Sequence, residues 1–196
     1  MKNSLYFILT LLITSCSQTL KTTSVSGTIK GLQKGTLYLQ QVVDSEFVTL
    51  DSLVMNSTTD FELGCDLEEA EMLFLSLSKD LNAKRISFFA DKGLTKINTT
   101  LKRFKYDAQI EGGVQQELLE TYYKNIGRFK DQKLELIEQQ LNAQKDKKTK
   151  LAGELLSKID NITKRSYLYT INFALNNKDS EVAPFVAVSE IYDANV

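Results

Sequence analysis

At Gly112-Gly113 the spacing of apolar residues changes from every second position to every third or fourth. No other feature constrains the fold as much, because the two periods belong to different secondary structures. A strand-rich half precedes the glycines and a helical half follows them. The expected class is therefore α+β: an antiparallel β-sandwich or small barrel over residues 24–112, then a helical region over 113–196 made of a hairpin and a short C-terminal helix.

In the first half, alternating runs recur about every ten residues. Val25, Gly27 and Ile29 share one face of the first run. Gly31 and Gly35 bracket a turn, after which Leu37, Leu39 and Val43 share a face opposite Tyr38 and Val42. Asp44-Ser45 breaks the chain before 47–55 (FVTLDSLVM), a run apolar on both faces. The turn NSTTD precedes Phe61, Leu63 and Cys65, all of one parity, and Leu73, Leu75 and Leu77 repeat the pattern. Beyond the polar SKDLNAK, Ile86, Phe88 and Ala90 alternate, and Asp91-Lys92-Gly93 has the composition of a hairpin turn into 94–101. Phe104, Tyr106, Ala108 and Ile110 alternate with Lys105, Asp107, Gln109 and Glu111, the pattern of a half-buried antiparallel strand.

In the second half, Leu118, Tyr122, Ile126 and Phe129, continued by Leu134, Ile137 and Leu141, mark one helical stripe, and Leu151, Leu155, Ile159 and Ile162 mark a second. The segment 144–150 (QKDKKTK) has no apolar residue and is the expected turn of an antiparallel hairpin. Glu120 with Lys124 and Glu154 with Lys158 have the spacing of helix-surface ion pairs, each worth only about 0.2 to 0.5 kcal/mol. The stretch YLYTINFAL (167–175) fits either period and is read as helix. Asn176-Asn177 offers a left-handed helix end, Asp179 or Ser180 a cap, and 181–195 a last helix with Pro184 in its first turns.

Residues 1–15 set the compartment. Lys2, the apolar run 5–13 and the boundary Ile13-Thr14-Ser15-Cys16 read as a bacterial lipoprotein signal peptide with Cys16 as the lipidated residue. The apolar run is about half of the ~20 residues a membrane-spanning helix needs. Residues 16–23 form a polar tether. With Lys2 removed, 23 basic residues stand against 25 acidic ones, so no basic excess invites nucleic acid.

The chain contains no histidine and two cysteines. Ser-His-Asp and Cys-His catalysis, histidine-ligated metals and Cys-x-x-Cys motifs are all excluded by composition. No catalytic, cofactor-binding or metal-binding residue is assigned. Cys65 shares parity with core residues and is expected to be a buried structural thiol. The acidic 66–71 (DLEEAE) lacks the ligand spacing and glycine of a calcium loop and reads as a solvated turn.

The segments SGTIKGLQKGTLYLQ, DSLVMNSTTDFELG, FFADKGLTKI, QIEGG and KDSEVAPFVAVSEIY carry a family resemblance spanning Ser24 to Val196. The chain resembles the domain of unknown function at the N-terminus of envelope lipoproteins whose C-terminal part is thioredoxin-like, of the alkyl hydroperoxide reductase or thiol-specific antioxidant class. The resemblance implies residence in a Gram-negative outer membrane. Ser17-Gln18-Thr19 lacks the acidic residues that send such lipoproteins to the cell surface, so the periplasmic face is expected. It also implies that redox chemistry belongs to the later domain, at whose expected start this chain stops.

Three functions follow as expectations. The first is a non-catalytic, lipid-anchored module that positions or docks a thioredoxin-like domain, as a truncated or split form of a longer protein. The second is a free-standing binding lipoprotein for a small solute or an envelope protein. The third, a hydrolase using paired carboxylates, finds no supporting spacing. In the last helix, Val182, Phe185, Val186, Val188, Ile191 and Tyr192 cover over half the circumference. The expected consequence is an exposed apolar strip that meets a thioredoxin-like partner or a second copy through Phe185 and Ile191.

Overall fold

The computed structural model describes residues 21–191; the expected signal peptide and its Cys16, the expected tether up to Leu20, and Tyr192 lie outside the described residues. Eight strands, β1 (Thr23–Lys30), β2 (Lys34–Val43), β3 (Glu46–Asn56), β4 (Asp60–Cys65), β5 (Glu71–Ser76), β6 (Arg85–Ala90), β7 (Gly93–Thr100) and β8 (Gln109–Glu111), precede three helices. The helices are α1 (Val114–Lys145), α2 (Thr149–Asn176) and α3 (Val182–Glu190). The strands form two four-stranded sheets, ordered β4-β1-β7-β8 and β3-β2-β5-β6. They pack face to face as a sandwich and do not close into a barrel.

The period-two parities place the core between the sheets. Val25, Ile29, Phe61, Leu63 and Ile97 of the first sheet meet Leu37, Leu39, Leu73, Leu75, Ile86 and Phe88 of the second, all buried. Each such side chain contributes about 1.5 to 3 kcal/mol on leaving water. Gly27 lies opposite Ile97, and a Cβ there would stand 1.9 Å from the Ile97 carbonyl oxygen. With φ at +153° as well, this position tolerates only glycine. Asp44 and Ser45, both at positive φ, form the two-residue turn between β2 and β3.

The strand half departs from the sequence reading in four places. Strands β1 and β7 pair in parallel within an otherwise antiparallel scheme, because β2 through β6 serve as the long crossover that a parallel pair requires. Strands β6 and β7 are no hairpin: they lie in different sheets, and the Gly93 amide bonds to the Thr22 carbonyl instead. The alternating run 104–110 is a strand only at 109–111. Before that, Tyr106 and Asp107 amides return to the Arg103 carbonyl, and Thr100 Oγ1 both accepts from the Arg103 amide and donates to the Asp107 carboxylate. These side-chain bonds wind 101–107 into turns that bury Phe104 and expose Tyr106. Finally, the pairing of β2 with β3 skips Leu50 between Leu39 and Gln40, and Val43, expected on the core face, is exposed.

The start of α1 is capped from outside the helix. Asp91, just after β6, places Oδ2 3.1 Å from the Gln115 amide. A Cβ at Gly113 would lie 2.1 Å from that oxygen, so the glycine admits the carboxylate to the positive end of the helix. Phe89, on the outward face of β6, packs under Leu119, Tyr122, Phe173, Val182 and Val186 and joins sheet to helices. Gln116 secures the joint by accepting from the Phe89 amide at 2.8 Å. Its Nε2 donates to Glu120. Neither expected ion pair, Glu120 with Lys124 or Glu154 with Lys158, forms among the described residues.

Residues 167–175 are the last turns of α2. The hairpin turn is tighter than 144–150: only 146–148 are non-helical, with Lys147 at φ 58°. At the end of α2, Asn177 is not left-handed (φ −122°); its side-chain amide caps by donating to the Phe173 carbonyl. The N-cap of α3 is Glu181, without a side-chain cap bond; Ser180, one residue earlier, accepts from the Ala183 amide through Oγ at 3.2 Å, and Pro184 falls in the first turn of α3.

Candidate functional site

The residues singled out from the sequence do not converge. Cys65 is buried at the end of β4, without a disulfide partner among the described residues. Burial pushes its thiol up to about 11; Lys21 pulls the other way, while Asp66, Asp51 and Glu71 add to the rise. It is therefore a protonated core group, not a poised nucleophile. Within 66–71, Asp66 accepts from the Thr22 amide and Glu71 from Gln41, so these carboxylates fasten strand ends. Among the described residues no three of His, Cys, Asp and Glu come together as a metal set.

The C-terminal helix is less exposed than its pattern suggests. Val182 and Val186 are fully buried, and Phe185 meets Phe89 edge-on at 5.7 Å. Of the strip's described residues Val188 alone stands open, at 76 % exposure, and Ile191 lies just past the helix, half-buried. The continuous apolar strip expected through Phe185 and Ile191 is thus broken by docking on β6. Lys130 clamps the end of α3 with an ion pair to Glu190 at 3.0 Å.

Two other surfaces remain open. The first is the hairpin formed by α1 and α2. Its helices of 32 and 28 residues run to about 48 and 42 Å at 1.5 Å per residue, longer than the sheets they rest on. Near α3 the hairpin is pinned by Tyr122, whose hydroxyl donates to Thr170 Oγ1 at 2.7 Å while Thr170 donates to the Ser166 carbonyl. Farther out, a small separate cluster, Ala143, Ala152 and Leu155 with Leu136, holds the helices only to each other. Leu134, Leu141, Leu151 and Leu156 on this outer part are exposed.

The second surface is the outward face of the β3-β2-β5-β6 sheet beyond the helices. Arg85, first residue of β6, is 8 % exposed yet has no carboxylate partner among the described residues. Its Nε donates to Gln40 at 3.1 Å, and its terminal nitrogens donate to the carbonyls of Asp80, Leu81 and Ala83. The guanidinium lies 3.7 Å from the centroid of Phe47, whose ring meets Phe74 edge-on at 5.2 Å. Beside these groups a pocket of about 370 Å³ opens, completed by Ser87, Lys84, Asn82, Lys105 and Tyr106. The site was not legible in the sequence because Arg85 falls between the polar SKDLNAK and the alternating run that begins at Ile86, and its partners Gln40 and Phe47 lie about forty residues away. The available signals were a two-faced apolar run at 47–55 and an arginine at the head of an alternating strand.

Residues 23–119 match the model of a family described as a domain of unknown function, DUF4369. The matched segment runs past β8 into the first turns of α1 and so takes in Gln116 and Leu119, the residues that seat the helix on Phe89. No curated protein and no solved structure matches the chain.

Proposed function

From the match of residues 23–119 to the DUF4369 model, we propose that the chain is a non-catalytic, lipid-anchored module of the cell envelope that positions or docks a thioredoxin-like redox domain. The observation that carries this reading is the outer part of the α1-α2 hairpin. Among the described residues its apolar cluster joins only the two helices to each other, and it exposes four leucines, Leu134, Leu141, Leu151 and Leu156, where α3 exposes one valine. Leucines left exposed on an arm whose own packing is this small support a contact surface there. The chemistry of Cys65 is consistent with a partner supplying the reactive thiol, since a buried, protonated sulfur cannot attack a disulfide. Membrane attachment through Cys16 and the periplasmic face of the outer membrane belong to the same proposal.

A photo-crosslinking amino acid at Leu141 or Leu156 of the full chain, in the cell that makes it, tests the docking reading. The expected adduct is with a protein containing a thioredoxin-like domain, and Leu134→Glu should diminish it. Adducts only with proteins lacking such a domain, or none at all, overturn it. The alternative of a free-standing binding lipoprotein is favoured by a separate observation, the pocket beside Arg85.

A further inference from the structure

We infer that the pocket beside Arg85 binds a small organic carboxylate with a flat, apolar body. The inference does not rest on the docking reading, because the pocket lies on strands and loops of the sandwich and the leucines lie on the hairpin.

The charge argument comes first. Arg85 carries its positive charge inside the protein, where carbonyl dipoles compensate it but, among the described residues, no carboxylate pairs with it. A buried charge satisfied only by dipoles keeps a net field, and that field is focused into the adjoining low-dielectric cleft. The cleft adds Lys84 and Lys105 at its rim, with the Ser87 hydroxyl and the Asn82 amide as further donors, and its lining holds no Asp or Glu. Three cations without a carboxylate select an anion and repel a cation.

Shape supplies the rest. Phe47, Phe74 and Tyr106 form apolar walls, and one face of Phe47 is already covered by the guanidinium, which fixes both groups in place. At about 370 Å³ the space sits at the lower end of the range for small-molecule sites, enough for a fused two-ring acid and too little for a folded polypeptide segment. Four of the five guanidinium hydrogens are committed to Gln40 and the 80–83 loop. Arg85 therefore acts as a fixed charge, and Lys84, Lys105 and Ser87 are the groups that meet the carboxylate directly.

Calorimetry on the chain from Ser17 onward, with 2-naphthoate, 2-naphthamide and 2-naphthylmethylamine as probes, tests the assignment. The expected result is saturable binding of the carboxylate, at least tenfold weaker binding of the neutral amide and none of the amine. Binding of the carboxylate should weaken with added salt. Lys84→Glu with Lys105→Glu should reduce it at least tenfold. Both lysines are exposed and make no ion pair among the described residues, so that variant should keep the wild-type circular dichroism spectrum. Arg85→Lys provides a second comparison, with the fold checked in the same way. Equal binding of naphthoate and naphthamide, indifference of naphthoate to the two lysine changes, or no binding at millimolar concentrations would overturn the inference.

Discussion

Asp51 belongs to β3 but holds the outer edge of β4 in the other sheet. Its Oδ2 accepts from the Gly64 amide at 2.9 Å and from Lys21 Nζ at 2.7 Å, and Lys21 in turn donates to the Gly64 carbonyl. Partial burial alone would raise the carboxyl, but bonds from Lys21, Gly64 and Ser52 outweigh it and hold the carboxyl below its ordinary value. A carboxyl depressed in the folded state contributes stability above the unfolded value of about 3.9, and that stability is lost as pH falls through the folded one. Asp51→Asn should cost about 1 kcal/mol at pH 7, a modest figure because Lys21 is solvent-exposed. In urea unfolding the gap between wild type and variant should close below about pH 4. A gap that stays constant down to pH 3 would show that the charge contributes nothing.

The capping of α1 by Asp91 sets the junction between the two halves of the molecule. Asp91→Ala removes the acceptor of the Gln115 amide and should cost about 1 to 2 kcal/mol. Hydrogen exchange should speed up at Gln115 before any strand amide is affected; unchanged exchange there would show that the cap is dispensable. The existence of this helix and of its partner was legible because 3.6-residue periodicity is a local property of 114–176. The false strand at 104–110 has an equally local origin. Its alternation is real, but Thr100, Arg103 and Asp107 bond to one another and to the backbone within seven residues, and those bonds win. Parity correctly buried Cys65, whereas nothing local reveals that Phe89 faces helices from the far side of its sheet, or that Arg85 closes over Gln40, 45 positions earlier. The candidate pocket is assembled from such long-range neighbours, so it was the least legible part.

For the molecule as a whole, the hairpin divides into a seated part and a free part. Replacing residues 134–161 with a short Gly/Ser turn removes the cluster of Ala143, Ala152 and Leu155 but leaves Tyr122, Phe173 and Phe89 in contact. The shortened protein should keep its strand amide signals by NMR and unfold in one cooperative step. Loss of the sandwich would show that the arm is needed for folding and not only for contact. A last consequence follows from the place of β1. The strand nearest the proposed lipid anchor is not at the rim of its sheet; it runs between β4 and β7, with Thr23 to Thr28 bonded on one side and Thr23 to Lys30 on the other. Tension along that strand from a membrane would load both ladders in shear, so that many hydrogen bonds must fail together rather than peel one at a time. A molecule tethered in this way can be pulled by its anchor without being unravelled from it.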